Sequence, residues 1–224
     1  MSTENKIANA VAALFIITMI LGMIDAYTVA PILQASLADY YSNESQFYIG
    51  ALSILFMSLG VVGIAILLCP VLEKHNRIIA IAYVCSRVME CLLLITGVIV
   101  YFLLLTLSQE FIMAGSPDSS YFQTLANVAV ETRYSAYHVA MIILSIASIM
   151  LCYLLYKTRL IPRIISVVGI IGYALVFVSA PLNLLGMIDT TGTGGLLYAP
   201  GALFELLLLP IWLFIKGFNP VAVR

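Results

Sequence analysis

The sequence predicts an all-α integral membrane protein, a single transmembrane domain over residues 1–224 built as a bundle of six transmembrane helices. Three observations carry this. Hydrophobic residues make up 63% of the chain and charged residues only 9%, against about 25% charged in a soluble domain; mean hydropathy is +1.11. Apolar runs of about 20 residues, enough to cross roughly 30 Å of hydrocarbon as a helix, recur six times. The basic residues alternate from one connection to the next as the positive-inside rule requires.

The spans fall near residues 8–30, 49–70, 78–106, 134–156, 163–186 and 197–216. Each is expected to be helical, because lipid offers no partner to bare backbone. The first follows MSTENK and is too long for a signal h-region; Pro31 after Ala30 makes a poor cleavage site, so an uncleaved span is expected. Residues 31–48 contain LQASLADYY, expected to form a short outer interfacial helix. The third span is long enough to tilt or project. Residues 107–133 open with SQEFIMAGSPDSS, read as a loop from its Gly, Ser and Pro. No Gly or Pro occurs from Tyr121 to Tyr156, so the fourth helix is expected to start well above the membrane. TTGTGG at 190–195 reads as a flexible outer loop, since no strand precedes it as a phosphate loop would need.

Orientation follows from charge. Lys6, Lys74, Arg77, Lys157, Arg159, Arg163, Lys216 and Arg224 share one side. The other side has Arg133 against Asp39, Glu44, Glu110, Asp118, Glu131 and Asp189. Both termini are therefore expected in the cytoplasm. Tyr40, Tyr41, Tyr48, Tyr121, Tyr134 and Tyr137 suit the outer interface. A net charge of −1 without a basic patch gives no sign of nucleic-acid binding; the expected surroundings are the lipid bilayer. Cys69, Cys85, Cys91 and Cys152 lie in apolar segments with no C-x-x-C pair and read as small buried hydrophobes.

The chemistry, if any, must come from the few polar groups inside the spans. Arg87 and Glu90 in SRVMECLL sit three residues apart on one helix face, although Arg alone costs roughly 2.5–3.5 kcal/mol at the bilayer centre. Glu90 lies about 15 Å from the inner end of span three and Glu205 about 13 Å from the outer end of span six, both near mid-membrane. Asp25, His138 and Asn183 fall nearer the outside. Tyr83, Arg87, Glu90, Gly97 and Tyr101 form one stripe on span three; Tyr134, His138, Met141, Ser145, Ser148 and Cys152 form one on span four. Thr18, Gly22 and Asp25 do so on span one, and Tyr198, Gly201, Glu205 and Trp212 on span six. Turned inward, these stripes predict a polar cavity open or openable to the outside. Arg87 is expected to pair with Glu90 or with Glu205. One glutamate is then left over, and a buried unpaired carboxylate takes a proton or recruits a cation. A proton, a metal ion or an amine ligand would each supply the charge; no metal-binding motif is present, and the residues name no cofactor. A purely structural clasp is the competing reading. His138 reads as an interfacial histidine near the outer rim, and Asn183 as glue between helices.

The stretches SRVMECLLLITG, YHVAMIILSIASIMLCYLLYKTRLIPRIISVVGIIGY and ALFELLLLPIWLFIKGF, with the six-span layout, resemble a bacterial membrane family catalogued as domain of unknown function 4386. The likeness covers most of the chain. Its pattern includes Arg87, Glu90, His138, the YLLYKTRLIPR turn at 153–163 and Glu205. The resemblance implies a bacterial cytoplasmic membrane and no particular activity. MECLLL and FELLLL, in the third span of each half, would fit an inverted repeat of the kind transporters use.

Three functions are compatible with this sequence. The first is a small-solute or ion carrier, proton-linked, or a ligand-binding membrane protein, with Arg87, Glu90 and Glu205 as its site, His138 and Asp25 leading outward, and Tyr83, Ser145 and Asn183 lining the way. Its small size suggests a homodimer. The second is an intramembrane enzyme acting on a lipid, with His138, Asp25, Glu90 and Glu205 holding a hard metal or acting as acid and base. Against it, there is no second intramembrane histidine, no H-E-x-x-H and no nucleophile elbow, and His75 lies at the wrong end. The third is a non-catalytic accessory subunit, although the short cytoplasmic loops offer little surface to a cytosolic partner.

Overall fold

A computed structural model describes residues 3–115, 120–188 and 193–219. Asp118, Asp189, Thr190, Thr191, Gly192 and Arg224 lie outside the described residues, so the expectations placed on them are untouched. The elements are α1 (Thr3–Thr28), a short 3-10 turn (Ile32–Gln34), α2 (Leu37–Ser42), α3 (Glu44–Glu73), α4 (Arg77–Met113), α5 (Ser120–Thr158), α6 (Arg163–Leu184) and α7 (Thr193–Leu203). A π-helical turn (Phe204–Leu208) then joins α7 to α8 (Leu209–Lys216). Six segments are long and apolar enough to span a membrane: α1 with its 3-10 extension, α3, α4, α5, α6, and the run Gly195–Lys216. There is no strand among the described residues. The protein is an all-α, six-helix integral membrane protein.

The helix ends follow local chemistry. The Asn76 side chain accepts from the Ile79 amide at 3.0 Å and starts α4. α4 does not stop at the expected loop: SQEFIM stays helical until Gly115, whose φ of 80° ends it. α5 starts at Ser120, as the run without Gly or Pro predicts. The two helices therefore form a hairpin some 55–60 Å long by rise per residue, which outruns the hydrocarbon core. The expected interfacial helix is present as α2, but it docks on this hairpin instead of lying free in the interface. Ser108 Oγ donates to the Leu37 carbonyl at 2.6 Å and accepts from the Tyr41 amide at 3.0 Å. Tyr40, read as an interface tyrosine, is buried with its hydroxyl donating to the Leu33 carbonyl at 3.1 Å. Tyr41, Tyr48 and Tyr121 are exposed. Within TTGTGG, residues 193–195 open α7 and are not loop.

The packing is a closed ring. α1 packs on α3, α3 on α4, α4 on α5, α5 on α6, α6 on α7, and α8 returns to α1. Large apolar side chains such as Leu52, Phe56, Leu59 and Ile66 of α3 point outward and are exposed, as suits a surface that lipid covers. The two chain ends meet at one end of the bundle, where Asn5 lies against Gly217 and the Asn219 amide donates to the Leu160 carbonyl at 2.9 Å. That contact pins the α5–α6 turn, whose Leu160 and Ile161 are buried and whose Arg159 takes a φ of 57°.

Small residues set the α6–α7 crossing, since lipid supplies no hydrophobic drive between helices and close approach must do so. A Cβ on Gly172 would stand 2.7 Å from the Gly201 nitrogen. Gly172→Ala is therefore expected to force the two backbones apart and cost about 1–3 kcal/mol. Thermal unfolding in detergent checks this against Gly63→Ala, whose new methyl would meet only the tip of Leu14 at 3.4 Å. Equal melting of the two variants would show that the crossing is not tight.

Candidate functional site

Two buried charge clusters cross the interior, each joining helices on opposite sides of the ring. The deeper one centres on Arg87 of α4, which is 1% exposed. Its Nε donates to the Tyr83 hydroxyl at 3.1 Å, Nη1 to Glu90 Oε2 at 2.9 Å and Nη2 to Glu205 Oε1 at 2.8 Å. The alternatives left open by the sequence are thus both realised: one guanidinium serves both glutamates. Glu90 comes from the same helix one turn on, while Glu205 comes from the π turn across the ring. The Tyr173 hydroxyl of α6 also donates to Glu205 Oε1. So Oε1 of Glu205 takes two donors. Glu90 is 3% exposed, and the Glu205 side chain is 16% exposed.

The π turn explains how Glu205 gets there and why span six departs from its expected stripe. The Leu209 amide donates to the Phe204 carbonyl, one residue further back than in an α-helix. Pro210 comes next and has no amide to give. One extra residue in a turn rotates the rest of the helix by about 100°. Tyr198, Gly201 and Glu205 therefore face the interior charge cluster, whereas Trp212, half-buried against the core, lines an apolar groove with Ile165.

The second cluster is Asp25 of α1 with Arg133 of α5. Arg133 Nη2 donates to Asp25 Oδ2 at 2.7 Å, and the Tyr101 hydroxyl of α4 donates to Asp25 Oδ1 at 2.6 Å. The guanidinium lies 4.9 Å from the Tyr101 ring centre and 5.4 Å from that of Tyr134. Gly97 and Gly50 leave room: a Cβ on Gly97 would meet the Arg133 stem at 3.5 Å, and one on Gly50 would stand 3.0 Å from Asp25 Oδ1. The expected stripe on span three is therefore split. Its Tyr83, Arg87 and Glu90 serve Glu205, and its Gly97 and Tyr101 serve Asp25 and Arg133. Asp25 does not join the Arg87 cluster.

His138 is buried, with Nδ1 3.3 Å from the Tyr198 hydroxyl. Tyr198 stacks on Tyr137 at 6.3 Å. Tyr137 lies one turn on from Arg133 along α5 and faces the region between the two clusters. Ser145 donates to its own helix at Ile142 O, 2.8 Å, and Asn183 Nδ2 to Ser179 O and Oγ at 2.9 and 3.0 Å. Ser148 Oγ is buried, with no hydrogen-bond partner among the described residues. Thr18 and Gly22 turn toward Gly60 and Met57 of α3 instead of the interior. The charged interior groups meet by direct contact; the sequence suggested a polar cavity open or openable to the outside. The four cysteines are free, with Cys91 and Cys152 buried and Cys85 exposed. His75 lies in the turn before α4, where burial and then the Lys74 ammonium lower its pKa. Among the described residues no three His, Cys, Asp or Glu side chains gather as a metal site would need; His138 and Asp25 stand apart from the glutamates.

Sequence reasoning missed Arg133, Tyr173 and Tyr137. Arg133 had a usable signal: it precedes Tyr137 by four residues in a run free of Gly and Pro, which places it on the inner face. It is also the one basic residue on the otherwise acidic side, and its pairing with Asp25 accounts for that exception. Tyr173 carried no signal beyond being a tyrosine next to Gly172.

No curated protein and no solved structure matches the chain. Residues 10–217 match the profile of a family described as "Domain of unknown function (DUF4386)". That match takes in both charge clusters and all six spans but for the first turns of α1, and the protein belongs to the DUF4386 family.

Proposed function

We propose that the protein is a proton-linked carrier or binding protein for a small solute or ion in the bacterial cytoplasmic membrane, with the Glu90–Glu205 pair around Arg87 as the site that takes up positive charge. The observation that carries this is one guanidinium shared by two carboxylates across a buried ring. Arg87 offsets one of them; an ionised second carboxylate in such surroundings would be strongly unfavourable. A proton suits the site better than a hard metal ion, which asks for about six oxygen ligands. Placement of Glu205 on a π turn supports the assignment, because such turns recur at functional positions. Tyr137, between the clusters, supports a path from the Asp25–Arg133 end. The distribution of Lys and Arg supports cytoplasmic termini, with the Asp25–Arg133 end outside. The whole site comes from one chain, so a homodimer is not needed to complete it.

Native mass spectrometry from nanodiscs tests the reading, wild type beside Glu205→Gln at several pH values. A solute retained by the wild type in a pH-dependent manner, and lost or held independently of pH in the variant, is the expected result. An empty wild type with an equally stable variant would leave a structural clasp.

A further inference from the structure

At the end of the bundle that carries both termini, the acidic side chains are already engaged. Glu4 pairs with Lys74 and Glu73 with Arg77, each at 3.3 Å, and both pairs lie on the α1–α3–α4 side. The α5–α6 turn and the end of α8 carry Lys157, Arg159, Arg163 and Lys216 with no acid between them. Lys216 has no ion-pair partner among the described residues. Among the described residues, one side of this end thus carries only basic groups.

On that side α6 packs along α7 and the π turn but parts from α8. The gap is an apolar groove lined by Ile165, Leu207, Ile211, Trp212, Ile215 and Lys216. From Leu207 to Lys216 the helix rises about 14 Å, close to half of a roughly 30 Å hydrocarbon core. The groove therefore runs from mid-membrane to the surface, apolar along its length and cationic at its mouth. Arg163, at the start of α6, lies 5.0 Å from the Tyr156 ring centre of α5 and belongs to the basic rim of this end. We propose that this groove binds one anionic phospholipid of the leaflet on the side of the termini, its acyl chain along Leu207 to Ile215 and its phosphate against Lys216.

The single tryptophan of the chain lines the groove, so bromine on a bound acyl chain would quench it. The protein is reconstituted in vesicles of phosphatidylcholine with increasing dibrominated phosphatidylglycerol, or with dibrominated phosphatidylcholine as the neutral control. Phosphatidylglycerol is expected to quench Trp212 at a lower mole fraction, with a relative affinity about fivefold higher. Lys216→Gln is expected to remove most of that preference while leaving quenching by the neutral lipid. Ile211→Phe, which fills the groove with another lipid-compatible side chain, is expected to weaken quenching by both. Equal quenching by the two lipids in the wild type overturns the proposal, and so does a preference that survives Lys216→Gln. Undiminished quenching in Ile211→Phe would move any lipid preference to the general basic rim and out of the groove.

Discussion

Replacement of Arg87 by alanine is expected to cost about 3–5 kcal/mol, the range for breaking a buried ion pair from one side. The loss is large because the guanidinium has three acceptors, Tyr83, Glu90 and Glu205, on two helices across the ring. Without it, two carboxylates share an interior with no cation. Arg87→Lys is expected to rescue little: an ammonium is a point charge, and cannot hold three acceptors in a planar fork. Arg87→Met combined with Glu90→Gln and Glu205→Gln is expected to recover much of the loss, since a neutral site of similar volume no longer strands a charge. Thermal unfolding in detergent, followed by Trp212 emission and by monodispersity on gel filtration, reads each variant. A stable Arg87→Ala protein would mean that the two glutamates do not depend on Arg87 for neutralisation.

The fold was legible in the sequence because the bilayer reduces the choice of structure to helices of set length. Element types and the six-span count follow from apolar runs alone. Helix ends were less legible. SQEFIM reads as loop beside Gly115 and Pro117, yet the helix needs only that no breaker precede Gly115, and none does. The Arg87–Glu90 pair was readable because i,i+3 spacing fixes it within one helix. Glu205 was suggested by its depth and its face. The π turn was not readable, since the spacing rule assumes an unbroken α-helix; Trp212 was misplaced for that reason. Arg133 with Asp25 depends on which helices face one another across the ring, and periodicity on separate helices does not contain that. Tyr173 is fixed by the Gly172–Gly201 approach, again a property of two helices together.

Arg133→Ala and Asp25→Ala are each expected to destabilise by about 3–5 kcal/mol, because either leaves a buried charge alone. The pair matters more here than a surface ion pair would. Arg133 and Asp25 are only 15% and 6% exposed, and α1 and α5 stand on opposite sides of the ring. In lipid, apolar side chains give helices little reason to prefer each other over the bilayer, so a charged strut between non-neighbours carries weight that a soluble core would spread over many contacts. The two single losses should not add. Asp25→Leu/Arg133→Met removes both charges and fills the space, and is expected to be more stable than either alanine variant. Exchanging the charges, Asp25→Arg with Arg133→Asp, is expected to fail: Gly50 and Tyr101 leave room at Asp25 for a carboxylate that accepts a hydrogen bond, not for a guanidinium. Unfolding midpoints for the four variants decide the matter. Additive single losses, or a charge exchange as stable as the wild type, would show that the two residues act separately and that α1 is held by its contacts with α3 and α8 alone.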